Sequence, residues 1–150
     1  MSVIICDASP ILALHGIGRL DLLQLVYQEI VITDVVEKEV EIDLPEWIIV
    51  TAEYDNNAYT TLNASLDSGE ASSIAYAMDI DQAVLIIDEK KGRKVARKIG
   101  LNIIGLLGVI VKAKKEGRIP SGMQIISDLE KSNFRVSESL YELVKTKLGE

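Results

Sequence analysis

The stretch that most constrains this chain is its start, where the unbroken apolar run Val3, Ile4, Ile5, Cys6 passes directly into Asp7, Ala8, Ser9, Pro10. Three β-branched residues and a cysteine with no polar interruption predict a strand buried on both faces, as at the centre of a parallel sheet covered by helices. Ser9 can cap a helix and Pro10 suits the first helical position, because its missing N–H has no intrahelical partner there. Asp7 is then placed where a strand ends and a helix begins, at the carboxyl edge of a sheet. Open α/β folds collect their ligands at that edge.

The pattern recurs downstream. Ile30 to Ile32 predicts a second strand, followed by Thr33 and Asp34 as a cap for a helix over 35–42 with Val36, Val40 and Ile42 on its buried side and Glu39 beside it. Pro45 interrupts, and Ile48 to Val50 predicts a short edge strand. A helix is expected over 58–66. Asp67, Ser68, Gly69 and Glu70 then open an alanine-rich helix through Met78, and Ala83 to Ile87 is a buried strand that again ends in acid, Asp88 and Glu89. A helix from Lys90 to Ile99, a strand from Leu101 to Ile104 and a helix from Leu106 to Lys115 follow. Strand, helix, strand, helix alternation is the mark of a parallel sheet. The helix over 19–27 is apolar nearly all round and is expected to be well buried. Two amphipathic helices over 123–129 and 137–148 complete the chain, and the 150 residues are most simply one domain.

Four acids, Asp7, Glu39, Glu70 and Asp88, thus fall at strand ends or on helices beside them. Carboxylates gathered in a poorly solvated cleft raise one another's pKa, and a divalent cation relieves them. With no histidine or thiol in support, an all-oxygen set suits Mg²⁺ or Mn²⁺ better than zinc. Such an ion binds phosphates and activates water against a phosphodiester. His15, the only histidine, is expected at a helix end and outside this set.

Charge points to the same substrate class. The chain carries −7 overall, yet the segment from Lys90 to Arg118 holds ten basic residues against one acid, Glu116. A solvated helix face is the ordinary meaning of such a run; beside Asp88, it also provides a flank for a polyanion. Cys6 alone excludes an internal disulfide and fits a reducing cytoplasm. No basic segment precedes the first apolar run and no run approaches a membrane span, so neither secretion nor insertion is expected.

The residues also carry a resemblance. Asp7-Ala8-Ser9-Pro10 after the first strand, Glu39, the run from Leu66 to Ala71 with Glu70, Ile87-Asp88-Glu89-Lys90 leading into Arg93 and Ala96, Ile104 to Gly108, and Phe134 to Ser137 before the last helix together resemble the PIN-domain superfamily. They resemble most an uncharacterised prokaryotic branch related to VapC-type toxins. The resemblance covers essentially the whole chain. It implies a three-layer α/β/α fold around a mainly parallel sheet, and a cleft of acids binding Mg²⁺ or Mn²⁺ that cleaves single-stranded or structured RNA. Carried over, Asp7, Glu39, Glu70 and Asp88 are metal ligands or position the water. Ser9 matches the hydroxyl that hydrogen-bonds within the acid set; Glu89, next to Asp88, is expected as a secondary site residue taking over part of the role of Asp88. The basic helix beginning beside Asp88, with Lys90, Lys91, Arg93, Lys94 and Arg97, is expected to hold the RNA backbone. A toxin relationship implies a small antitoxin and a homodimer. Glu70 stands where toxin members usually have Asp, and Ile86 where they usually have Thr. A PIN-like module that binds nucleic acid or protein with weak or no catalysis is the alternative. A receiver-type signalling domain fits less well, because Ile103 and Ile104 run into Gly105 and leave no lysine closing the last strand.

Overall fold

A computed structural model describes residues 1–150. Its centre is a five-stranded sheet of β1 (Val3–Cys6), β2 (Ile30–Thr33), β3 (Ile48–Thr51), β4 (Ala83–Ile86) and β5 (Asn102–Ile104), in the order β3-β2-β1-β4-β5. Every pair is parallel. Because side chains alternate along a strand, the two faces of β1 and β4 divide the apolar runs between two cores. Ile5, Leu85 and Ile87 pack on one side with the alanine-rich α5 (Ser68–Met78) and with α6 (Lys90–Ile99). Cys6 and Ile86 face the other way into a larger core. This is built by α1 (Ala8–Gly16), α2 (Asp21–Tyr27), α3 (Asp34–Val40), α7 (Leu106–Lys115), α8 (Gly122–Lys131) and α9 (Glu138–Leu148), and α4 (Asn56–Asn63) packs against α5. The result is the expected three-layer α/β/α arrangement. No helix is long and apolar enough to cross a membrane.

Several local expectations change. Asp7 itself takes the N-cap position of α1 with extended backbone, which moves Ser9 to the second helical position and Pro10 to the third. Both are tolerated there, since the first-turn N–H groups have no intrahelical acceptor. α2 buries one face only: Leu22 and Leu23 are fully buried, whereas Leu25 stays 38 % exposed. α3 stops at Val40 because Glu41 turns left-handed, leaving Ile42 outside it. α4 begins two residues before the expected start, at an Asp55 cap whose Oδ1 accepts from the N–H of Asn57 and Ala58. It ends at Asn63, before Leu66, which is buried from the turn that follows. β3 is an edge strand as expected, with Ile49 and Val50 exposed.

The far end of the chain is tied down by polar contacts. The Glu150 carboxylate accepts from the Ser121 hydroxyl at 2.6 Å and from the N–H of Gly122 at 2.8 Å. These donors hold its pKa well below the usual carboxylate range, at about 2. The contact fixes α9 against the start of α8.

Candidate metal centre

The strand order reverses between β1 and β4, and the register there pairs Cys6 with Ile86. The next residues of the two strands therefore leave the sheet side by side. The Asp7 N–H still donates to the Ile86 carbonyl at 3.0 Å, and the Ile87 N–H donates to Ile104 at 2.9 Å, so Asp88 is the first residue of that chain free of the ladder. Its Oδ1 accepts from the Leu106 N–H at 2.8 Å, capping α7. Asp7 is 3 % exposed.

Glu39 and Glu70 reach the same edge on helices. Thr33 caps α3, its Oγ1 accepting from the Val36 N–H at 3.1 Å, and lies 2.7 Å from the Ser72 hydroxyl of α5. That fully buried bridge ties the helix carrying Glu39 to the helix carrying Glu70. Asp67 and Glu70 form a reciprocal capping box at the start of α5: Asp67 Oδ1 accepts from the Glu70 N–H at 2.8 Å, and Glu70 Oε1 accepts from the Asp67 N–H at 3.4 Å. Replacing Thr33 by valine, which keeps shape but removes both contacts, is expected to lower stability by about 1–2 kcal/mol. Thermal unfolding reads this as a fall of roughly 5 °C in Tm.

Three glycines bring backbone against the carboxylates. A Cβ at Gly69 would sit 2.7 Å from both oxygens of Glu39, one at Gly92 3.0 Å from Glu70 Oε2, and one at Gly105 2.9 Å from Asp88 Oδ1. A side chain at Gly69 or Gly105 would force a carboxylate to shift, and one at Gly92 would meet Ile87 Cδ1 at 2.8 Å before it pressed on Glu70.

The acids feel one another. Burial, then the charges of Asp67, Glu39 and Asp88, push Asp7 up to about 7, against a partial lowering by the Ala8 N–H. Burial and the charges of Asp67 and Asp7 push Glu70 up to about 7 as well. Glu39 rises through desolvation and Asp67, with the Gly69 N–H opposing. Asp88 rises through burial, moderated by the Leu106 N–H and by Arg93. All four acids singled out from the sequence, and Asp67 in addition, thus lie within electrostatic reach at one sheet edge. Asp67 is an addition to the expected group. Its position ahead of Glu70 marks it, in sequence, only as the opening of a helix.

The donor set fits a hard cation. Asp7 Oδ1, Glu70 Oε2 and Asp88 Oδ2 are buried and accept no hydrogen bond, an arrangement that is costly for carboxylates in water-poor surroundings. The acids do not close into a cage of three direct ligands. That is compatible with Mg²⁺, which binds through one or two carboxylates and keeps several waters.

The remaining residues divide. Ser9 is exposed and makes no side-chain hydrogen bond to an acid, since its place in the first turn of α1 turns it to solvent. Glu89 is exposed at the N-cap of α6 without capping it, and is not among the charges acting on Asp7, Glu70 or Asp88. Lys90, Lys91, Lys94 and Arg97 are exposed on α6. Arg93 differs from them: half-buried, it donates from Nη1 to the Ile87 carbonyl at 2.8 Å and lies beside Asp88.

Among families of known proteins, the model of DUF3368, described as a PIN domain, matches residues 3–150. No curated protein and no solved structure matches the chain significantly.

Proposed function

The chain belongs to the PIN-domain family, whose members are generally nucleases, and on that premise we propose that it is a Mg²⁺- or Mn²⁺-dependent endoribonuclease acting on single-stranded or structured RNA. The observation that carries this reading is the set of three buried, unpartnered carboxylate oxygens on Asp7, Glu70 and Asp88 at the switch point of the sheet. Of those three residues and Glu39, one or two carboxylates would bind the ion and the others its waters. Once bound, it supplies an activated water and stabilises the leaving oxygen of a phosphodiester.

The chain's own residues do the rest. Without the ion, burial and neighbouring acids raise Asp7 and Glu70 to about 7, so both give up their protons as the ion binds and binding depends on pH around neutrality. Asp67 keeps Glu70 in place through the capping box, and Gly69, Gly92 and Gly105 leave the carboxylates room to approach the backbone. Arg93, fixed on the Ile87 carbonyl, sets a positive charge at Asp88. The exposed cations of α6 engage phosphates. Replacing Lys90, Lys91, Lys94 and Arg97 together by glutamine is expected to weaken RNA binding uniformly across sequences. The slope of log affinity against log salt should fall by about 0.7 for each phosphate no longer neutralised, measured by filter binding between about 50 and 200 mM salt.

The test is cleavage of a mixed single-stranded RNA pool with Mg²⁺, Mn²⁺ or chelator. Metal-dependent cleavage supports the reading, and RNA bound without cleavage in either metal favours the binding module instead. A toxin role belongs to the same proposal: it requires growth arrest when the protein is expressed in a bacterial host, relieved by Asp7→Asn.

A further inference from the structure

A groove of about 710 Å³ leaves the acid cluster at Asp88 and Arg93 and runs along the outer edge of β5 between α7 and α9. Its two kinds of lining are distinct. Cationic side chains are supplied by Arg93, Lys115, Arg135 and Lys147, and the only acid is Asp88 at the inner end. Between them lie apolar surfaces that the fold leaves open: Leu140 is 39 % and Leu143 51 % exposed, and Phe134 is half-buried. Four cations against one acid is a local excess in a chain of net charge −7. Phe134 and Arg135 also border a second depression, lined in addition by Glu130, Asn133, Val136 and Ser137; its acid Glu130 sets the outer limit of the cationic lining.

We propose that this groove is a subsite for the RNA segment on one side of the scissile phosphate, with Phe134 stacking on a base while Arg135, Lys147 and Lys115 hold successive phosphates. Alternating phosphates and flat apolar bases match alternating cations and apolar surface, and single-strand grooves combine these two elements. The groove also begins at an acid of the candidate metal centre, so a strand lying in it places its next phosphate beside Asp88. An acidic peptide would satisfy the cations but has no reason to start there. The proposal rests on the nuclease reading for what happens at the acids; occupancy of the groove by RNA does not.

The test uses the full chain carrying Asp7→Asn, so that binding is read without cleavage, and a fluorescein-labelled 12-nucleotide RNA followed by anisotropy. Arg135→Gln with Lys147→Gln, both exposed positions, is expected to weaken binding and to lower the salt slope by about 1.4. Phe134→Leu keeps an apolar group against the core and is expected to weaken the same RNA by roughly 10-fold. It should leave binding of an abasic ribose-phosphate strand of equal length unchanged, a distinction that a merely structural role of Phe134 would not produce. Parent-like binding by these variants overturns the proposal, as does a parent that binds no RNA. Displacement of the RNA by poly-glutamate with equal efficiency in parent and Phe134→Leu overturns it too, in favour of an acidic peptide. In chains with Asp7 intact, cleavage separates the two readings. If nothing is cleaved but the variants still lose RNA, the subsite stands and the nuclease reading falls. If cleavage proceeds with unchanged KM in the groove variants, the nuclease reading stands and the subsite falls.

Discussion

Asp7→Asn is expected to reduce metal-dependent RNA cleavage on the order of 10²–10⁴-fold while making the protein more stable at neutral pH. The two effects have one cause. Asp7 is 3 % exposed, its Oδ1 accepts no hydrogen bond, and burial and neighbouring acids hold its pKa at about 7. In the unfolded chain the same carboxyl ionises near 3.8. Between those values the folded protein binds the proton that the unfolded chain has released, so stability falls as pH rises through this window. Above pH 7 the full penalty of a buried charge is present, up to about 4 kcal/mol. Asparagine removes that charge without changing shape. The Tm of the variant should therefore match the parent's near pH 4 and exceed it increasingly up to pH 8. Adding Mg²⁺ or Mn²⁺ should raise the parent's Tm and narrow the gap, because an ion that binds the folded state stabilises it. A variant that loses cleavage and also melts lower at pH 8 would mean that Asp7 is structural.

Asp88 separates its two roles by the choice of replacement. Its Oδ1 caps α7 through the Leu106 N–H, and its Oδ2 is buried and free. Asparagine keeps an oxygen for the cap and removes the charge, so Asp88→Asn is expected to fold like the parent and to lose cleavage to a similar extent as Asp7→Asn. Asp88→Ala also leaves the α7 N-terminus uncapped, which costs about 1 kcal/mol, read as a Tm lower by a few degrees. Equal cleavage by Asp88→Asn and the parent would remove Asp88 from the chemistry and leave it a cap.

The strand ends are legible in the sequence because acid punctuates apolar runs abruptly: Asp7 after Cys6 and Asp88 after Ile87 mark where the backbone leaves the sheet. Their side-by-side placement follows from parallel order and from register, which pairs Cys6 with Ile86. Alternation of strand and helix implies the first, while nothing local encodes the second. Asp67 is hidden because a capping residue and a site acid look alike in sequence, and only the folded arrangement puts its charge near Asp7 and Glu39. The Thr33–Ser72 contact joins residues 39 positions apart. No periodicity announces such a bond. Serine followed by proline usually begins a helix, which favours Ser9 as the cap, but Asp7 serves as both strand end and N-cap and starts α1 two residues sooner. The apolar pattern of α2 overstates its burial for a related reason. Leu25 remains exposed because no element packs over that face, and a sequence pattern does not show where the neighbours stop.

Whether the buried acids hold a divalent cation is tested most directly by Mn²⁺ binding, followed by electron paramagnetic resonance at pH 7.5 in the parent and in Asp7→Asn. Saturable binding to the parent is expected, competed by Mg²⁺ and weakening as pH is lowered through 7, when Asp7 and Glu70 take up protons. The variant should bind at least about 10-fold more weakly. Equal binding by the two proteins, or none to a folded parent, would contradict a metal site built from these acids.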